Sequence, residues 1–160
     1  MPVMAGAFFV PAKSKINIHR GIFAPMEVLM DYLEILQTAP LFYQITGEEI
    51  PAILSCLSSR RVSCRKNEFI CNHGDLLSSV GLVLSGEVHI LKEDFWGSRT
   101  ILGKAGPGQL FAESYACAGR PLEVSVTAAR DSEILFLDIR NLLHACDRSC
   151  PFHQRLIQNF

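Results

Sequence analysis

The sequence predicts a mainly β protein, a double-stranded β-helix (jelly-roll) barrel with flanking α-helices. Three observations point there. Apolar residues recur with a period of two between Arg61 and Leu137, glycine-centred turns cut that stretch into short runs, and helical spacing is confined to the two ends. Closing such strands on one another protects their edges.

Residues 1–24 show no sustained periodicity, and Pro2, Gly6, Pro11 and Gly21 interrupt them, so they read as a flexible N-terminal extension. From Met26 to Gln37, Leu29, Leu33 and Leu36 recur at helical spacing, and Pro40 ends that helix. Thr46-Gly47-Glu48-Glu49 matches a capping box, in which Thr46 and Glu49 satisfy each other's backbone donors. Ile50, Ile53, Leu54 and Leu57 then form one face of a second helix. After Arg61 the period becomes two. Strands are expected over Arg61–Lys66, Phe69–Cys71, Val80–Leu84, Val88–Ile90, Arg99–Leu102, Val124–Ala128 and Ser132–Leu137, with Val124, Val126 and Ala128 on one face. Gly74-Asp75, Gly86, Trp96-Gly97-Ser98 and Gly106-Pro107-Gly108 supply the turns. Helical spacing returns through Ile139, Leu142, Leu143 and Cys146, and Pro151 suits the first position of a last helix carrying Phe152, Leu156 and Phe160. The expected organisation is therefore an extension over 1–24, a sensor-type barrel over 25–138, and C-terminal helices over 139–160.

With 49% hydrophobic and 19% charged residues among 160, the chain can bury a real core. Its formal net charge of −1 and the lack of a basic stripe argue against direct duplex DNA binding by this segment, because phosphate neutralisation carries much of that affinity. Six cysteines lie in apolar, periodic stretches, which reads as reduced thiols in a cytoplasmic protein. No apolar run approaches the roughly 20 residues needed to span a bilayer. No Ser/His/Asp arrangement, dinucleotide fingerprint or P-loop is present, and His73 and His89 lack the partners of a cupin metal site, so no enzyme is expected.

Phe69-Ile70-Cys71-Asn72-His73-Gly74-Asp75, with Gly81-Leu82-Val83-Leu84-Ser85-Gly86-Glu87-Val88 after it, resembles the cyclic-nucleotide-binding domain superfamily. Pro107-Gly108-Gln109-Leu110-Phe111-Ala112-Glu113-Ser114 looks like that superfamily's phosphate-binding cassette. The ending around Cys146, Cys150-Pro151-Phe152-His153 and Leu156 is similar to Crp/Fnr-type transcription regulators, where it leads into a dimerisation helix and then a helix-turn-helix domain. The resemblance implies the sensory domain of such a regulator: a homodimer with a small-molecule effector, reaching DNA only through a domain absent from this chain. A truncated or degenerate dimerisation module without ligand is the alternative.

The same resemblance nominates a ligand site at Phe111, Ala112, Glu113, Ser114, Leu122, Glu123 and Val124. Glu113 would accept a ribose hydroxyl, and the N–H groups of Ala112, Ser114 and Tyr115 would face phosphate. The family's arginine, however, falls on Leu122, which Glu123 follows, and Arg120 stands two residues earlier. Two carboxylates without an aligned arginine disfavour a phosphate in a partly dry pocket. Cyclic AMP is thus not expected in the usual way. The family glycine before the cassette glutamate is Ala112 here. Glu113 has two open roles, ligand contact or cap of the cassette helix. No metal or other cofactor is expected. Cys146, Cys150 and His153 share a helical face as an alternative metal site, but Pro151 interrupts that helix and a fourth ligand is not evident. Cys117, in the cassette, is the candidate exposed thiol.

Overall fold

The computed structural model describes residues 22–23, 30–140 and 151–160. Among the described residues, nine strands form two antiparallel sheets that share one core. In chain order they are β1 (Ile22–Phe23), β2 (Arg60–Cys64), β3 (Phe69–Cys71), β4 (Ser79–Ser85), β5 (Val88–Glu93), β6 (Arg99–Ala105), β7 (Leu110–Phe111), β8 (Ser125–Ala128) and β9 (Ser132–Asp138). One sheet runs β1-β2-β9-β4-β7 and the other β3-β8-β5-β6. This is the jelly-roll arrangement of two facing sheets expected from the sequence. The helices are α1 (Leu33–Thr38), α2 (Ile50–Cys56), α3 (Glu113–Ala118) and α4 (Pro151–Asn159), with a 3-10 turn over Pro40–Phe42.

A single buried cluster draws on both sheets and the helices. It includes Leu82, Leu84, Ile134 and Phe136 from one sheet, Ile70, Val88 and Val126 from the other, and Ile53, Leu54 and Leu156 from the helices. Strand β4 is buried at every position from Val80 to Leu84, because β9 and β7 flank it and both of its faces are covered. The same holds for β8. Its four residues are all buried, so Ser125 and Thr127 do not face solvent as simple alternation would have it. Ser125 Oγ instead accepts the His73 N–H at 3.0 Å, satisfying a donor in the neighbouring turn. Gly86 closes the β4–β5 turn at φ +87°, where a Cβ would sit 2.2 Å from Ser132 Oγ.

The capping box forms by half. Glu49 Oε2 accepts the Thr46 N–H at 2.9 Å, but the Thr46 hydroxyl donates to that same carboxylate at 3.1 Å rather than accepting a backbone bond. The helix itself begins at Ile50, one residue after the glutamate. Helix α4 docks on the 3-10 turn: Asn159 Nδ2 donates to the Leu41 and Tyr43 carbonyls at 2.8 and 2.9 Å, and Arg155 reaches Glu49 at 3.4 Å. Leu156 is fully buried, whereas Phe160 is partly exposed. The apolar line read along this helix therefore serves the core at Leu156, and the Phe152 side chain lies outside the described residues.

The extension read over 1–24 lies outside the described residues apart from Ile22 and Phe23, which pair with Arg61 and Arg60. The start of the helix read from Met26, and the helix read through Cys146, also fall largely outside them. No helix among the described residues is long and apolar enough to cross a membrane.

Candidate functional site

The candidate site is a cleft of about 180 Å3 between α3 and the strand faces beneath it. Its walls are Ile90 on β5, Leu110 and Phe111 on β7, Val124 and Val126 at β8, and Ala112, Glu113, Ser114 and Tyr115 at the start of α3. The register explains the convergence. Ile90 stands opposite Val126 across the β5–β8 pair, and Phe111 stands opposite Gly81 across the β7–β4 pair.

A short segment holds the cassette in place. Gly108 N–H donates to the Val83 carbonyl at 2.8 Å and Val83 N–H to the Gln109 carbonyl at 3.1 Å, which sews the turn onto β4. The Gln109 side chain closes the turn by accepting the Gly106 N–H at 2.8 Å. Phe111 then drops into the core at 1% exposure and meets Phe136 edge to face, ring centres 6.1 Å apart. Ala112 bridges from β7 into α3 with φ 63° and ψ 10°, the left-handed region that an L side chain resists. The structure thus gives a conformational reason for the glycine that the resemblance leads one to expect there.

That strain yields a prediction. Ala112→Gly is expected to stabilise the protein by about 1 kcal/mol, the relief of left-handed strain outweighing glycine's greater freedom in the unfolded chain. For a chain of this size the shift is about 2–4 °C in a thermal melt. A neutral or lower melting temperature would contradict it.

Of the residues nominated from the sequence, Phe111, Ala112, Glu113, Ser114 and Val124 line this one cleft, and Leu122 and Glu123 do not. Leu122 is 1% exposed and belongs to the core. Its N–H donates to the Asp75 carbonyl at 2.9 Å, and its carbonyl accepts the Gly74 N–H at 2.8 Å, so the loop turns this side chain inward. Glu123 stands in solvent and pairs with Arg120 at 3.2 Å, both side chains about two-thirds exposed. The one arginine close in sequence is thereby directed at Glu123, and no residue lining the cleft carries a positive charge.

Ile90, Leu110, Tyr115 and Val126 complete the lining. Strand pairing brings Ile90 and Val126 together, so no local motif could reveal them. Leu110 was legible as the neighbour of Phe111.

Glu113 is half-buried at the first position of α3, directly after the N-cap residue Ala112. No hydrogen-bond or ion-pair partner engages its carboxylate among the described residues. One turn further on, Cys117 is exposed, but its thiol is pushed above the ordinary range by desolvation and then by the charge of Glu113. A raised pKa leaves less thiolate at neutral pH, which works against a role as a fast redox sensor. Burial raises Cys64 to about 12 and raises Cys71 further, as fits core thiols. His89 is occupied by Glu87 at 3.0 Å. Among the described residues, no three His, Cys, Asp or Glu side chains converge as a metal site. The alternative site at Cys146, Cys150 and His153 rests on side chains outside the described residues.

Comparison with known proteins gives the following. The cyclic nucleotide-binding domain family matches residues 61–149. No curated protein sequence matches the chain. Among solved structures, the Thermus thermophilus catabolite activator protein is similar at 29% identity and a TM-score of 0.63, covering 75% of this chain and 55% of that one. The chain thus spans about half the length of that protein. The sensor domain of the transcriptional regulator DNR from Pseudomonas aeruginosa aligns at 21% identity and a TM-score of 0.67, covering 83% and 88% of the two chains. The N-terminal domain of a transcriptional regulator from Streptomyces coelicolor aligns at 18% identity and a TM-score of 0.63, covering 78% and 85%. These last two share the fold. The matched segment takes in the cassette, the cleft, most of β2 and all of β3 to β9, and on that evidence the chain belongs to the cyclic nucleotide-binding domain family, with the fold that Crp/Fnr-type regulators use for sensing.

Proposed function

We propose that this domain is the effector-sensing part of a homodimeric, cytoplasmic Crp/Fnr-type regulator, not an enzyme, and that its effector is not a cyclic nucleotide held in the usual way. The observation that carries the reading is the cleft beneath the cassette, apolar on its strand side and without any cation in its lining. A cyclic phosphate entering it would meet the unpaired carboxylate of Glu113 and no guanidinium, a net desolvation cost without a compensating charge. The net charge of −1 and the lack of a basic stripe support a reading in which DNA contact belongs to another part of the regulator.

Sensing requires that the effector bind two arrangements of the domain unequally. Helix α3 supplies one wall of the cleft and the strands supply the other, so an occupant touches both at once. The left-handed Ala112 joins α3 to β7, and we take that joint as the place where such a bias would act. Effector binding would bias that joint and, through it, the helices that carry dimerisation and DNA reading.

A thermal-shift panel of small polar and aromatic compounds, run beside cyclic AMP and cyclic GMP, tests this. A true effector at about 100 times its Kd adds about 2.7 kcal/mol, or roughly 5–10 °C here. Val124→Trp, which fills the cleft, should abolish that shift. Stabilisation by a cyclic nucleotide would overturn the reading of the effector. No stabiliser of any class would favour the ligand-free dimerisation module instead.

A further inference from the structure

Building on that reading of the cleft, we infer that its effector is a small aromatic or branched aliphatic amine, held by its apolar body in the cleft and by its ammonium group at Glu113. The volume sets the size. About 180 Å3 is close to the roughly 150 Å3 of an engineered apolar cavity that accepts benzene, so the cleft has room for one ring with a short side chain.

The lining sets the body. Ile90, Leu110, Val124 and Val126 offer only hydrocarbon, and Phe111 seals the floor. Polar groups enter from one side alone, where Glu113, Ser114 and Tyr115 start α3. A ligand therefore needs one polar end and one apolar end.

The charge sets the polar end. Glu113 is half-buried, lines the cleft, and has no partner among the described residues. Arg120 is the nearest basic residue in the sequence, but it pairs with Glu123 in solvent and does not line the cleft. An ammonium donor completes Glu113 with a charge-assisted hydrogen bond, which is about twice as strong as a neutral one. A carboxylate or phosphate in the same place meets like charge.

Isothermal titration of the full chain with three matched probes decides the matter: 2-phenylethylamine, 2-phenylethanol and phenylacetate. The amine should bind at least tenfold more tightly than the alcohol, and phenylacetate should be weakest. Glu113→Gln should weaken the amine about tenfold and remove most of its advantage over the alcohol, with an unchanged melting temperature confirming an intact fold. Val124→Trp should weaken all three. Equal or tighter binding of the alcohol or the acid would overturn the charge assignment while leaving an effector-sensing cleft in place. Amine binding that Glu113→Gln leaves unchanged would overturn it as well. If no probe binds but another compound gives a cleft-dependent stabilisation, the ligand class alone fails. If nothing stabilises the domain, the sensing reading fails with it.

Discussion

Gly81→Ala is expected to destabilise the domain by about 3 kcal/mol, a large effect for adding one methyl group. Gly81 lies in the middle of β4, directly opposite Phe111 on β7 and Phe136 on β9. A Cβ at Gly81 would sit 2.1 Å from Phe111 Cζ, with two more ring atoms at 2.4 and 2.6 Å. The ring cannot yield in place, because it is 1% exposed and packed edge to face against Phe136. Either the ring leaves its site, at a cost approaching the 3–5 kcal/mol of deleting a buried phenylalanine, or β4 and β7 separate. Gly103→Ala on β6 is the control. There the new Cβ meets only Ile90 Cδ1 at an ordinary 3.7 Å, so that change should fall within about 0.5 kcal/mol of neutral or stabilise slightly. Thermal or urea unfolding should show Gly81→Ala melting roughly 6–12 °C lower than the parent. Combining it with Phe111→Leu should cost less than the sum of the two single changes, since the steric conflict is shared. Full additivity would mean that the ring does not rest on Gly81. Because Phe111 also floors the cleft, the same variant should lose ligand-dependent stabilisation.

The legible parts of the fold were those written in local period and turn chemistry. The second helix at Ile50, Ile53 and Leu54, the Gly86 turn and the positions of β2 and β9 all follow from neighbours in sequence. What period two could not show was that β4 and β8 are covered on both faces, because that depends on which strands flank them. Strand β7 has two residues, too few to display any period. The candidate site divides in the same way. Phe111, Ala112, Glu113 and Ser114 are consecutive, so a family cassette identifies them together. Ile90 joins them only through the β5–β8 register, which a single sequence does not encode in any short motif. Leu122 and Glu123 show the converse. Linear spacing put them beside the ligand, yet hydrogen bonds to Gly74 and Asp75 turn the first into the core and leave the second in solvent.

Leu122→Arg, which restores the family's arginine at its aligned position, is expected to unfold much of the protein rather than create a nucleotide site. Both backbone groups of Leu122 are engaged by the Gly74-Asp75 turn, and Pro121 bridges to Leu76, so the loop has little freedom to re-aim this side chain. Removing a fully buried leucine costs about 2–5 kcal/mol. Placing a guanidinium there without a buried partner adds several more, unless the longer side chain reaches solvent past its neighbours. Against a typical domain stability of 5–15 kcal/mol, the sum leaves a large unfolded fraction. Leu122→Met keeps the volume and should cost less than about 1.5 kcal/mol, which separates packing from charge. Glu123→Arg supplies the control for charge alone. It removes a pair that is about two-thirds exposed on both sides, so stability should change by no more than about 1 kcal/mol. Circular dichroism melts of the three variants, each repeated with cyclic AMP, make the comparison. A folded Leu122→Arg protein that binds cyclic AMP would show that the loop can turn the arginine into the cleft, and Leu122 would then be a functional substitution at a working nucleotide site. Unfolding of Leu122→Arg, beside a stable Glu123→Arg protein indifferent to cyclic AMP, would show instead that the core has claimed the position where the family keeps its phosphate ligand.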